Sequence, residues 1–423
     1  MLVKCLVVLG LSVVASAGFG QSQQESIAQS PQESNAQRLK GRFVTIQPKG
    51  VDPSVVRNSA QTAVTTASGL PLFTYDVHSS RDRNHYIGAM VGRSPFNNPG
   101  SVNVTTHIVP LILVTGEIGV SVNFNTGVIS THPGTTTFNP TAPDTACMKA
   151  PNDVPSKVFQ QSPLFNPATF IFGGTNVGKT QYIDAFQRGS FWKALGEDVD
   201  VYHTLLSPVT FLPPIVIRVP GVYGLALATS ALGPPNFCSR MGIIDIGWFD
   251  SLLTETIIPA LKAKGVNPSN FPLFLVHNVV WAQPVTNLGS CCILGYHSLT
   301  GFPTPTQTYS PSDFDSTGLF GADAMDTAVG SHEIGEWMDD PYTVNEVPPW
   351  GHIGQVAGCQ NNLEVGDPLS GTNRPNVVMP NGFSYHLQEL AFFSWFYGKP
   401  SIGIHGWFSD NGTFLKDAGP PCH

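Results

Sequence analysis

Short apolar runs separated by turn-forming residues dominate the chain, and few stretches have apolar residues at helical spacing. The β-branched run 102–114 is typical of a buried strand. Helical spacing occurs at 181–195 and recurs in the second half of the chain. There the predicted order is helix, strand, strand, helix, over 250–264, 271–281, 291–298 and 323–339.

The first residues show the three parts of a secretory signal peptide. Lys4 supplies a positive charge, residues 5–14 are apolar but too short to span a membrane, and 15–17 is a small-residue cleavage site. We therefore expect a signal peptide over 1–17 and a secreted protein, extracellular or periplasmic. No later segment is apolar enough to predict a membrane span.

The region after the signal peptide carries little periodic pattern. Residues 18–42 are rich in Gln, Ser, Asn and Ala and are predicted to be disordered. Residues 43–98 are mixed in character, which predicts an N-terminal extension or pro-segment packed on the main domain. The main domain is then expected over 99–423, with β-rich insertions.

The composition favours a chain of turns and short strands and argues against a nucleic-acid-binding protein. Only 12% of the 423 residues are charged, about half the usual share. The 42 glycines and 36 prolines favour turns and short strands over long helices. The formal net charge of −8 argues against nucleic acid as a main partner.

The cysteines predict disulfides. Of the 7 cysteines, Cys5 leaves with the signal peptide, and the remaining even number suits an oxidising compartment. Sequence alone does not choose among the roughly 15 pairings of six cysteines. For the adjacent Cys291 and Cys292 we expect two separate partners, because a bridge between neighbours is strained.

The strongest chemical signal is the stretch 331–341, SHEIGEWMDDP. His332 and Glu336 are four residues apart and therefore stand on one face of a helix, one turn apart. A catalytic zinc site needs three protein ligands and an open position for water. We expect these two residues to be ligands and Glu333 to act as the base toward the metal-bound water, with Asp340 supporting the site.

The third ligand must come from another segment. Glu364 and Asp367 flank Gly366, whose missing side chain allows a sharp backbone turn. We favour Glu364 as the ligand and keep Asp367 as the alternative. The other carboxylate would orient His332 or cap a helix. His352, between the two segments, is a further candidate for a replacement ligand.

The pattern departs from the His-Glu-x-x-His motif of zinc peptidases, because Glu336 stands where the second histidine is usual. One histidine and two carboxylates form a harder, more anionic site. We expect one divalent metal ion, with zinc as the first choice and other divalent ions acceptable. The alternative is that these acids form an ordinary solvated helix face.

Three motifs in order carry a family resemblance: Cys292–His297 (CILGYH), then 331–341, then 364–367 (EVGD), with Cys422 near the end. Together they resemble the plant EXORDIUM / phosphate-induced-protein family and its bacterial relatives, from about Asp250 onward. The resemblance implies a secreted α+β protein, in which a zincin-like mixed sheet packs on the metal-motif helix. It also implies that the motif is a degenerate metallopeptidase motif, and the plant members of the family are linked to cell-wall and growth functions.

His297 lies near the predicted strand that precedes the metal helix. In zincin-like folds this strand can line the substrate cleft, so we expect His297 to contact substrate or to stabilise the transition state as a hydrogen-bond donor. The alternative is a hydrogen-bonded, partly buried histidine.

The leading hypothesis for function is a secreted metal-dependent hydrolase acting on peptide bonds, in a peptide or another extracellular or cell-wall substrate. The alternative is a non-catalytic extracellular protein in which a metal such as calcium or zinc has a structural role. An open, water-bound position on the metal would favour the first hypothesis, and a closed shell the second.

Residues 173–180, GGTNVGKT, fit the phosphate-loop pattern in full. We reject nucleotide binding, because the chain lacks the repeated strand–helix alternation and the Mg-binding aspartate that this motif needs. The alternative is a Gly-rich loop that leads into the helix at Gln181.

Overall fold

The computed structural model describes residues 40–47, 69–115, 118–123, 128–133, 135–148, 153–227, 237–285, 291–302, 306–398, 400–417 and 419–422. The predicted signal peptide and most of the stretch predicted to be disordered lie outside the described residues.

Strands make up most of the regular structure. In chain order they are β1 Arg42–Thr45, β2 Leu72–His78, β3 His85–Val91, β4 Ser101–Thr115, β5 Ile118–Asn123, β6 Val128–Pro133, β7 Thr137–Phe138, β8 Ala168–Phe172, β9 Thr175–Thr180, β10 His203–Phe211, β11 Ile215–Val219, β12 Gly224–Leu227, β13 Met241–Asp245, β14 Phe271–His277, β15 Val279–Ala282, β16 Ile293–Thr300, β17 Gln307–Phe314, β18 Glu346–Ile353, β19 Val356–Asn362, β20 Val377–Val378 and β21 Ser384–Tyr385.

The helices are few and short. In chain order they are α1 Pro155–Gln160, α2 Tyr182–Ser190, α3 Trp192–Leu195, α4 Ile246–Leu252, α5 Ile258–Leu261, α6 Ala328–Asp339 and α7 Phe393–Tyr397. One π-helical turn, Leu253–Ile257, joins α4 to α5. Within the part of the chain that the structure describes, no helix is long and apolar enough to cross a membrane.

The fold is α+β, built on one curled mixed sheet. Among the described residues this sheet has 11 strands, and its main path is β10-β4-β14-β17-β16-β15-β13-β12. The strands β10, β4, β14 and β17 run parallel to one another, whereas β16 is antiparallel to β17. The long strand β4 pairs with β10 along its first half and with β11 along its second.

The sheet is covered on both faces, and β14 shows this most clearly, because all seven of its residues are buried. Leu273 and Leu275 pack into the cluster on the face that α6 covers. Phe274 and Val276 pack into the cluster on the face that α4 and α5 cover. A strand covered on both faces needs a continuous apolar run rather than alternation, which is the pattern in this segment.

The edge of β16 is the part of the sheet that positions the candidate site. In the described residues, β15 pairs with β16 through Trp281 and Ile293 alone. The same edge is occupied by β1, which runs parallel to β16 and places Thr45 opposite His297. The N-terminal strand therefore fills the edge that β15 leaves open.

The second described piece of the predicted extension, the β2–β3 hairpin, packs on the main body. The hydroxyl of Tyr75 lies 2.9 Å from that of Tyr397, and the side chain of Asn345 donates to the carbonyl of Ala89 at 2.8 Å. Both contacts are buried. They attach the hairpin to α7 and to the loop that follows α6.

Several predicted elements are confirmed, with shifted bounds. The run 102–114 is β4, and 250–264 is α4, the π turn, α5 and a short 3₁₀ turn. The run 271–281 is two strands, because Asn278 has a φ of 54° and interrupts it. The metal-motif helix begins five residues later than predicted, at Ala328, because Asp326 has a φ of 42°.

The sequence with the phosphate-loop pattern is a β hairpin. Gly173 and Gly174 form its turn, with φ values of 54° and 85°, and Lys179 lies within β9. The helix α2 begins after the hairpin, at Tyr182. A phosphate loop instead wraps its backbone N–H groups around an anion at the start of a helix.

The six cysteines after Cys5 pair as Cys147–Cys238, Cys291–Cys292 and Cys359–Cys422. The prediction of separate partners for Cys291 and Cys292 is wrong. These neighbours are bonded to each other, and a cis peptide bond brings their Cα atoms to 3.0 Å. Three disulfides are compatible with an oxidising compartment.

Candidate metal centre

Helix α6 carries the central residues of the site, and all of it is buried. It packs between β16, β17 and the C-terminal segments, so His332 and Glu333 have no exposed surface and Glu336 is 2% exposed. The alternative of a solvated acidic helix face is therefore wrong. Burial of three polar side chains at one point of a helix demands partners for them.

Close approach of the backbone to these side chains requires glycine at two positions. A Cβ atom on Gly366 would lie 2.3 Å from Nδ1 of His332. A Cβ atom on Gly295 would lie 2.8 Å from Cγ of Glu333. Any larger residue at either position would displace the candidate site.

His332, Glu336 and Asp367 form one group of potential metal ligands. Nε2 of His332 lies 3.0 Å from Oε1 of Glu336 and 3.6 Å from Oδ1 of Asp367. The backbone N–H of Gly366 donates to the same Oε1 of Glu336 at 3.2 Å. One imidazole nitrogen and two carboxylates thus converge from α6 and the turn after β19.

Gln388 sets the protonation of His332. Its Nε2 donates to the carbonyl of Gly366 at 2.6 Å, so its Oε1 faces Nδ1 of His332 at 3.0 Å. Because an amide oxygen only accepts, Nδ1 carries the proton, and the lone pair on Nε2 is free to bind a metal. Burial lowers the pKa of His332 to about 3, so the ring is neutral at pH 7.

His297 and Glu333 form a second group with Glu336. Nδ1 of His297 lies 3.6 Å from Oε2 of Glu333 and 3.8 Å from Oε2 of Glu336. Within each group the potential ligand atoms all lie within 4.8 Å of one another. Glu336 belongs to both groups, so the two share one continuous buried centre.

His297 differs from the hydrogen-bonded, partly buried histidine of the alternative interpretation. It has no exposed surface, and neither ring nitrogen has a hydrogen-bond partner among the described residues. Burial alone would lower its pKa, but the nearby carboxylates of Glu333, Glu364 and Asp340 outweigh this and raise it to about 9. The ring is therefore a cation at pH 7.

The carboxylates of the centre repel one another. Burial, reinforced by the charge of Glu364, raises the pKa of Glu333 to about 7 and those of Glu336 and Asp367 well above the usual range. His297 is a single cation among four acids. A divalent cation would relieve this repulsion and stabilise the ionised carboxylates, so the donor set fits a metal ion.

The structure places the two candidates for the third ligand differently. Oδ1 of Asp367 faces His332, while Oδ2 accepts from Gln360 at 3.0 Å. Oε1 of Glu364 accepts from Thr45 at 2.5 Å and from Asn362 at 2.6 Å, and its Oε2 has no partner in the described residues. The geometry groups Asp367, the alternative candidate, with His332, and puts Glu364 beside the group.

Two other candidates lie outside both buried groups of potential ligands. Asp340 accepts from the backbone N–H groups of Val344 and Asn345, at 2.9 and 3.0 Å, and so fixes the turn after α6. His352 is exposed on β18 and lies with Cys359 and Cys422, whose sulfurs are bonded to each other. The structure does not bring His352 into the buried centre.

Four residues that touch the centre carry no motif in the sequence: Gln388, Gln355, Phe43 and Thr45. Gln388 is 56 residues from His332, and Gln355 donates to Asp367. The ring of Phe43 is stacked on that of His332, with centroids 3.5 Å apart and planes at 14°. These contacts join segments far apart in the chain, and no local pattern points to them.

The resemblance in the second half of the sequence and the geometry of the buried centre are separate observations. The geometry shows a group of residues that could hold a metal ion, and the family assignment stays a prediction. No protein-family model, no curated protein and no solved structure matches the chain.

Proposed function

We propose that this protein is a secreted, zincin-like metal-dependent hydrolase that cleaves peptide bonds. The observation that carries the proposal is the neutral His332, whose free Nε2 faces Glu336 at 3.0 Å inside a buried group of acids. A buried imidazole with a fixed tautomer, one turn from a carboxylate on the same helix, has the chemistry of a metal ligand.

His332, Glu336 and Asp367 would hold one divalent ion, with zinc as the first choice. The two carboxylates make the donor set harder than a three-histidine site, so manganese or another divalent ion is a reasonable substitute. When bound, such an ion supplies Lewis-acid polarisation of a carbonyl group and of a water molecule.

Glu333 is the residue best suited to move the proton. It lies next to His332 in the sequence, and both of its oxygens lack a hydrogen-bond partner in the described residues. Burial, and then the charge of Glu364, raises its pKa to about 7. A carboxylate with a pKa near neutrality accepts a proton from water and returns it to a leaving amine.

His297 would stabilise negative charge that develops on the substrate. It enters the centre from β16, and nearby carboxylates raise its pKa to about 9, so the ring is cationic at neutral pH. Its Nδ1 lies 3.6 Å from Oε2 of Glu333, but neither ring nitrogen has a hydrogen-bond partner among the described residues, so the ring could donate to an oxyanion.

The test is metal content combined with peptide cleavage. Purified protein should carry close to one divalent ion, and a peptide library should be cut by the metal-loaded form alone. Glu333→Gln should abolish cleavage and keep the metal, whereas Glu255→Gln, at an exposed position, should change neither. The proposal fails if His332→Ala alters neither metal content nor activity.

A second candidate, a non-catalytic extracellular protein with a structural metal, is favoured by one observation. The centre is closed, since His297, His332 and Glu333 have no exposed surface. In that case metal would raise the melting temperature, and Glu333→Gln would leave every measurable function intact. The cleavage assay with Glu333→Gln therefore separates the two candidates.

A further inference from the structure

The strand β1 forms the lid of the buried centre. It runs parallel to β16, with Phe43 opposite Gly295 and Thr45 opposite His297. Phe43 is 6% exposed and lies flat on the ring of His332. Without β1, the edge of β16 next to His297 would have unpaired backbone groups, which readily bind another extended chain.

The strand β1 lies in a groove between β16 and the side chain of Gln355, and its backbone makes the contacts that hold it there. Oε1 of Gln355 accepts from the N–H of Phe43 at 2.7 Å, and Nε2 of Gln355 donates to the carbonyl of Phe43 at 3.0 Å. Oγ of Ser298 donates to the carbonyl of Ile46 at 2.7 Å. Such contacts recognise any extended chain, whatever its side chains, and they are the basis of binding by strand addition.

The side chains of β1 point alternately into the candidate centre and away from it. Phe43 and Thr45 face the centre, where Phe43 covers His332 and Thr45 donates to Glu364 at 2.5 Å. Val44 and Ile46 face away and pack against the apolar cluster on the other side of the sheet. This alternation gives the groove one pocket for an aromatic side chain, directly above His332, and one polar position after it.

We infer that the groove between β16 and the side chain of Gln355 is a binding site for an extended polypeptide with an aromatic residue. Residues 42–47 are its resident occupant and hold the candidate centre closed. The substrate class of the proposed hydrolase would then be an extended peptide chain. The inference rests on the proposed function for the hydrolytic chemistry alone.

The closed centre follows directly from this occupant. Phe43 covers the imidazole that would bind the metal, and Thr45 donates to Glu364. Gln355, the side chain that holds the backbone of Phe43, also donates to Asp367. A peptide that enters the groove must first displace β1. Displacement would therefore open the candidate metal position and the binding groove in one step.

The experiment measures peptide binding without metal, so that it is separate from the test of hydrolysis. The probe is a fluorescein-labelled peptide with the sequence of residues 40–47, KGRFVTIQ. Its binding is measured by fluorescence anisotropy in the presence of a chelator. The proteins are the full chain, the full chain with Phe43→Gly and Thr45→Gly, and the control Lys40→Gly, which changes an exposed residue just before β1.

The double variant should bind the peptide at least tenfold more tightly than the unaltered chain and the Lys40→Gly control. A peptide with glycine in place of its phenylalanine should bind at least tenfold more weakly. Equal binding to all three proteins, or no binding to a double variant with a native circular dichroism spectrum, overturns the inference.

A milder variant covers the case in which the double variant does not fold. Thr45→Val keeps the shape of the side chain and removes the donor to Glu364. It should bind the labelled peptide several-fold more tightly than the unaltered chain, and unchanged binding would overturn the inference. If peptide binds as expected but no metal is held by any variant, the groove stands and the proposed hydrolase does not.

Discussion

Nδ1 of His332 donates to Oε1 of Gln388 across 3.0 Å, in a site from which solvent is excluded. This hydrogen bond decides which ring nitrogen faces Glu336. Because Gln388 donates to the carbonyl of Gly366, its amide cannot flip to offer His332 a donor without breaking that buried contact. The free lone pair of His332 is thus a property of the fold and does not depend on a metal ion.

Replacing Gln388 by leucine should weaken metal binding. The side chain keeps its volume but loses the acceptor, so Nδ1 is left without a partner and the other tautomer becomes accessible. Loss of such a supporting hydrogen bond typically costs about 10- to 100-fold in metal affinity. A zinc titration against a competing chelator measures it.

The matched control for Gln388→Leu is Gln161→Leu, at an exposed position. This control should have the affinity of the unaltered protein. Equal affinity for Gln388→Leu and the control would show that the tautomer of His332 has no part in metal binding.

Asp367→Asn and Glu364→Gln distinguish the two candidates for the third ligand. Oδ1 of Asp367 belongs to the group with His332, although it also accepts from Gln355, whereas Glu364 lies outside that group and its Oε1 accepts from Thr45 and Asn362. Asp367→Asn should therefore reduce zinc affinity by at least tenfold more than Glu364→Gln, in the same chelator competition. The reverse order would make Glu364 the ligand.

Lys179→Ala should change neither function nor stability. Lys179 is exposed on β9, in a hairpin, and exposed substitutions away from special features change the free energy of unfolding by less than about 0.5 kcal/mol. Urea unfolding and a nucleotide-binding assay provide the check. Nucleotide binding that disappears in Lys179→Ala would contradict the hairpin interpretation.

Helical periodicity predicted how His332 and Glu336 are placed, because an interval of four residues fixes one helix face whatever the rest of the chain does. Pro341, which disfavours helical backbone at the residue before it, predicted the end of α6 at Asp339. The spacing did not predict that the helix face with His332 and Glu336 is buried. Whether an acidic helix face meets solvent or a sheet depends on packing against β16 and β17, which lie elsewhere in the chain.

The rest of the centre depends on tertiary contacts that leave no local trace. Gln388 lies beyond the metal motif in a segment without regular pattern. Phe43 falls in 43–98, whose mixed character predicts an extension or pro-segment packed on the main domain without indicating where it packs. The choice between Glu364 and Asp367 depends on the direction of the turn at Gly366. These two carboxylates flank the glycine, and the sequence gives no reason to prefer one of them as a ligand. Only packing distinguishes them.

Asp339→Asn should make the metal-free protein less sensitive to pH. Burial, and then the charge of Asp340, raises the pKa of Asp339 to about 7. Since this exceeds the usual value near 3.8, the folded state binds more protons, and the contribution of Asp339 to stability falls as pH rises from about 4 to 7. Asparagine abolishes this loss, so the free energy of unfolding should gain on the order of 2 kcal/mol more at pH 8 than at pH 5.

Urea unfolding with a chelator at both pH values measures the difference. Asp198→Asn, at an exposed position, is the control and should show no such gain. An equal gain at both pH values would show that Asp339 is ionised in the folded protein throughout this range.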